Sequence, residues 1–193
     1  DSAGALDFVL TQLQPNVDAR IFEIVSFSIL KAYFGEQSIF WGWSADKLSQ
    51  EFLMLYKTGR TNANDGGIDF VMRPLGRFFQ VTETIDVNKY FLDIDKIQRF
   101  PLTFVVKTTQ DPDIVKDQLR EQALSKYGVQ AVVDRYMESV EEIINIPRLA
   151  STFESLVQSG KLRDVMEEII LQSRVEFNYE DDEESDITGS PNE

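Results

Sequence analysis

Asp69, Gln80 and Thr82 are the oxygen-bearing side chains around which chemistry in this chain would be built. None of the 193 residues is His or Cys. That removes Ser-His and Cys-His nucleophile activation, imidazole-bound zinc and thiolate metal sites. Carboxylate, carboxamide and hydroxyl oxygens instead suit a hard cation, Mg²⁺ or alternatively Mn²⁺. Asp69 stands among Ile68, Phe70, Val71 and Met72, and a carboxylate buried in such company is costly without a partner. Asp65 with Gly66-Gly67, just upstream, reads as turn chemistry instead, because Asp and Gly favour tight turns.

A hairpin has to position these groups. Residues 68–73 and 78–84 have the apolar, β-branched and aromatic content of strands, joined by Pro74-Leu75-Gly76-Arg77. A four-residue turn pairs Arg73 with Phe78, Val71 with Gln80 and Asp69 with Thr82. Side chains alternate along a strand, so Asp69 then shares a face with Gln80 and Thr82, and a one-residue slip would part them. Upstream, Asp18 caps a helix over 19–34 that is apolar on most sides and therefore buried. Ser44 caps another through about Tyr56, and a turn-rich loop leads into the hairpin. Downstream come a helix over 87–97 and a third strand over 102–108. Asp111-Pro112 opens a helix to Gly128, and three more helices cover 129–144, 148–159 and 162–172. The fold class is α/β (α+β): a small mixed sheet flanked by helices, with a helical C-terminal part.

The run Gly67-Ile68-Asp69, followed by Gln80-Val81-Thr82, resembles the signature of the Mrr-like branch of the P-D-(D/E)-X-K nucleases, a superfamily that includes many restriction endonucleases. Its pattern is a Gly-rich loop, Gly-Ile/Val-Asp, a hairpin turn and Gln/Glu-x-Lys, then a helix and another strand. The likeness covers about residues 19–128. It implies a restriction-endonuclease-like fold and Mg²⁺-dependent cleavage of double-stranded DNA by a homodimer, with the C-terminal helices as the obvious interface. By position, Asp69 binds the metal, Gln80 binds metal or positions water, and Glu23 of the upstream helix completes the acidic shell. Thr82 stands where the family has Lys, and Thr cannot supply a cation. Three accounts are open. Lys57, Arg77, Lys89, Lys96 or Lys107 reaches the site from elsewhere, with Lys96 favoured by its neighbours Asp93 and Asp95. Alternatively Glu83 or a second metal takes the role, or the site is inactive and the fold is kept for binding DNA or protein.

The net charge of -14 opposes nucleic-acid binding at first sight, but it is unevenly spread. Residues 1–110 carry 11 Lys+Arg against 13 Asp+Glu, while 111–193 carry 8 against 20. The expected layout is one domain over 1–175, with a helical extension at 129–175 and a solvated acidic tail at 176–193. An acidic DNA mimic is the least favoured reading, since a mimic spreads its acids over a folded face. Trp41 and Trp43 read as core residues sooner than as base-stacking platforms. Glu141-Glu142 and Glu167-Glu168 read as solvated helix faces. Without an apolar run long enough for a membrane span, and without Cys, the expectation is a cytoplasmic protein.

Overall fold

A computed structural model describes residues 2–59 and 68–177. The Asp65-Gly66-Gly67 turn and the tail beyond Phe177 lie outside the described residues. Helix α1 (Ser2–Thr11) precedes α2 (Ala19–Gly35), which is capped by the Asp18 carboxylate accepting from the Arg20 N–H at 2.9 Å. Strands β1 (Ser38–Trp41), β2 (Ser49–Phe52) and β3 (Met54–Lys57) follow, with a single 3-10 turn at Ala45–Lys47 between β1 and β2. Next come β4 (Phe70–Arg73), β5 (Arg77–Thr82), α3 (Val87–Lys96) and β6 (Leu102–Val106). The chain continues through α4 (Pro112–Tyr127), α5 (Gln130–Met137), β7 (Val140–Ile144), α6 (Ile146–Gln158) and α7 (Leu162–Phe177).

Five strands form one mixed sheet in the order β3-β4-β5-β6-β7, antiparallel from β3 to β5 and parallel from β5 to β7. Every residue of β6 is buried, as expected of a central strand covered on both faces. Helices α1, α2, α6 and α7 pack one face through Val9, Phe27, Phe153 and Val165 against Leu55, Phe70, Phe79 and Val105. Helices α3, α4 and α5 cover the other through Tyr90, Phe91, Leu119 and Val133 against Leu102, Phe104 and Val106. The expected mixed sheet flanked by helices is therefore present.

One expected helix is not, and a second is shorter than expected. The segment after Ser44 has apolar residues at helical spacing, but it folds as β2 and β3. Leu53 and Leu55 turn into the core while Phe52, Met54 and Tyr56 turn out, a period of two. Within 129–144 the helix ends at Met137 and β7 follows as an edge strand of the sheet. The pair Glu141-Glu142 lies on that strand, where both carboxylates meet Arg77, and not on a solvated helix. The C-terminal part is thus helical except for one strand, and it belongs to the sheet. Glu168 pairs with Lys31 at 2.8 Å and Glu167 with Arg163 at 2.6 Å. Helix α7 continues through Glu176 to Phe177, whose ring lies under the Arg20 guanidinium. The two tryptophans also depart from expectation. They occupy the exposed end of the β1–β2 ribbon, edge to face at 5.9 Å, and not the core.

Candidate active site

The turn between β4 and β5 has the expected four residues but begins one residue earlier, at Arg73. Gly76 adopts φ 63°, which its missing Cβ permits, and its N–H donates to the Met72 carbonyl at 2.9 Å. Met72 therefore pairs with Arg77, Val71 with Phe78 and Phe70 with Phe79. The expected pairs Val71–Gln80 and Asp69–Thr82 are displaced by two residues. A shift of two preserves which face each β5 side chain takes. Phe78, Gln80 and Thr82 share the α3 face, whereas Phe79 and Val81 face α2.

Asp69 sits immediately before β4 and ties three strands together. Its N–H donates to the Phe79 carbonyl and its carbonyl accepts from the Thr58 N–H, each at 2.9 Å. Its half-buried carboxylate accepts from the Val81 N–H at 2.7 Å, between Gln80 and Thr82 in sequence. With β4 beginning only at Phe70, this carboxylate occupies the place of a ladder carbonyl on β5. A carboxylate offers about four lone-pair positions, so one such bond does not exhaust it.

The other predicted residues fall around this end of the sheet. Gln80 and Thr82 are buried on the α3 face, opposite Phe104 and Val106 of β6. Glu23 comes from α2, on the other face, and forms a buried ion pair with Lys57 of β3 at 2.8 Å. Glu83, half exposed, pairs with the buried Lys107, which also donates to the Val17 carbonyl. Of the candidate cations, Lys57 and Lys107 stand at the Asp69 end: Lys57 precedes Thr58, and the Lys107 N–H donates to the Thr82 carbonyl. Arg77 is at the far end of β5, held by Thr103, Glu141 and Glu142.

Lys96 pairs within its own helix with Asp93 at 3.3 Å, while Asp95 accepts from the Tyr136 hydroxyl. Asp93 is buried, and desolvation raises its carboxyl above the ordinary range against the opposing pull of Lys96 and Lys89. One Asp93 oxygen and the neighbouring Tyr90 hydroxyl have no hydrogen-bond partner among the described residues. Burial, then the charge of Asp93, pushes the Tyr90 phenol up.

As for a metal, no group of three or more acidic side chains able to hold an ion gathers among the described residues. Mg²⁺ needs no such cage, because it retains several waters and is often held by one or two carboxylates with substrate phosphates. The Asp69 carboxylate on the Val81 N–H, and the Gln80 carboxamide one residue before Val81 on β5, are of the donor types that such an ion takes. No helix among the described residues is long and apolar enough to cross a membrane. Comparison with known protein families, with curated proteins and with solved structures returned no match.

Proposed function

We propose that this chain is a metal-dependent endonuclease that hydrolyses DNA phosphodiester bonds at the Asp69 end of the sheet. The observation that carries the reading is the Asp69 carboxylate, docked on the β5 backbone between Gln80 and Thr82. The frame around it supports the same reading. A helix bearing Glu23, the β4–β5 hairpin, a helix on the opposite face and a parallel strand follow in the order that the resemblance to the P-D-(D/E)-X-K nucleases implies, with β1, β2 and β3 added before the hairpin.

Asp69 would hold Mg²⁺ with Gln80, and a bound Mg²⁺ would polarise the scissile phosphate and help to generate hydroxide. The Val81 N–H fixes the direction of the Asp69 carboxylate before any ligand arrives. Of the candidate cations, Lys57 and Lys107 stand at this end of the sheet, Lys57 held by Glu23 on the α2 face and Lys107 by Glu83. Cutting both strands of a duplex calls for two such sites, which a homodimer supplies. Binding of DNA without hydrolysis is the second reading, and Thr82 in the lysine position favours it.

The test is plasmid cleavage in Mg²⁺ or Mn²⁺ by the wild type, Asp69→Asn and Lys96→Met. Asn is chosen because its carbonyl still accepts from Val81, which preserves the local fold. Metal-dependent cutting that Asp69→Asn reduces about a hundredfold or more, and Lys96→Met leaves intact, is the expected result. Intact plasmid with a retarded complex would move the conclusion to binding alone. Cutting that survives in Asp69→Asn would end the assignment.

A further inference from the structure

The β1–β2 ribbon projects large apolar side chains into solvent. Trp43 is 91% exposed, Phe40 73% and Phe52 62%, with Trp41 and Tyr56 more than a third exposed. In the ribbon's register Ser38 faces Phe52 and Phe40 faces Gln50, so Phe40 and Phe52 lie on one face. That face runs on through Met54 and Tyr56 of β3, because Leu53 and Leu55 between them turn inward. On that face Phe40, Phe52 and Tyr56 leave roughly 350 Å² in water, from ~150–250 Å² for each such side chain, while Trp41 takes the opposite side with Ile39 and meets Trp43 edge to face at 5.9 Å. The largest apolar patch of an ordinary monomer is about 300–600 Å², and larger ones mark contact sites. Half-exposed Met54 on the same face and Trp43, at the turn of the ribbon, extend it toward the ~800 Å² that each partner contributes to a stable interface.

We propose that the β1–β2 ribbon, with the outer face of β3, is the contact surface of a symmetric homodimer. Charge selects the occupant. Residues 38–56 carry only Asp46, Lys47 and Glu51 as charged groups. A nucleic-acid strand needs several cations to replace its counterions, and this surface offers one. Two copies of a chain of net charge -14 repel each other least where that charge is locally near zero. The ribbon's edge points the same way. Strand β1, Ser-Ile-Phe-Trp, has no charge and no Pro to discourage edge pairing, and a two-fold axis lets it meet its own copy antiparallel. The ribbon's shape is firmly set, since a Cβ on Gly42 would fall 2.0 Å from the Lys47 carbonyl oxygen. The inference does not depend on what the hairpin cleaves.

Sedimentation equilibrium of the full chain tests it, with Phe40→Ser/Trp43→Ser/Phe52→Ser together, Trp43→Ser alone, and Ile170→Ser/Leu171→Ser on the exposed face of α7 as the control. The wild type should sediment at twice 22.1 kDa, and should persist as a dimer in high salt because the contact is apolar. The triple variant should weaken dimerisation at least about a hundredfold with unchanged circular dichroism, and the control should not. Trp43 stands almost wholly in water, so Trp43→Ser spares the fold and should still weaken the dimer about tenfold. A monomeric wild type at about 100 µM, above the micromolar limit for interfaces of this size, would overturn the proposal. So would a dimer insensitive to the ribbon variants or lost in the α7 control. Tryptophan fluorescence of a monomeric wild type quenched by a single-stranded oligonucleotide would reassign the ribbon to nucleic acid.

Discussion

Glu23 and Lys57 are both buried, and neither charge is tolerable there without the other. Glu23→Ala should therefore cost about 3–5 kcal/mol of stability, because it strands the Lys57 ammonium. Glu23→Leu with Lys57→Met should recover most of that loss. Urea melts of the single and double variants provide the check, and simple additivity would show that the pair is not coupled. Asp69 and Gln80 stand out in the sequence as candidates because a carboxylate and a carboxamide interrupt apolar strands at fixed spacing. Lys57 was one of several cations in view, and Lys96 drew attention only through its acidic neighbours. In the fold Lys57 belongs to a strand packed under α2 and pairs with Glu23, while Asp93 engages Lys96 within α3.

At the scale of elements, α2, β4, β5, α3, β6 and α4 were legible because their caps, turns and periodicities agree. Asp18, Asp86, Asp111 and Gly128 end or begin helices where their chemistry favours it. The strands β2, β3 and β7 were not. Leu48, Phe52 and Tyr56 satisfy a helical spacing, and only the alternation of Leu53 and Leu55 against Met54 and Tyr56 betrays the sheet. In β7 the acidic pair looks solvated until Arg77, far away in sequence, meets it across the sheet. Helix α3 carries its own test. Folding raises the Asp93 pKa above its ordinary 3.8, so the native state binds this proton more tightly than the unfolded chain. The contribution is favourable at low pH and is lost as pH rises from about 3.8 through the folded pKa. The stability of Asp93→Asn relative to the wild type should therefore climb over that range and then level off. A pH-independent difference between the two would contradict the burial argument.

For the whole molecule, the sheet divides two apolar cores, and its Asp69 end gathers the strand ends, the Glu23–Lys57 pair and the Glu83–Lys107 pair. The central claim is that Asp69 grips a divalent ion there. Mn²⁺ titration followed by electron paramagnetic resonance tests it most directly, because bound Mn²⁺ leaves the sharp free-ion signal. The chain is titrated with a short duplex present, against the duplex alone. The wild type should deplete the signal saturably, and Asp69→Asn should shift the half-point at least about tenfold higher, in keeping with the loss of a ligand's charge. Coincident curves for the two chains, both folded by circular dichroism, would contradict the account.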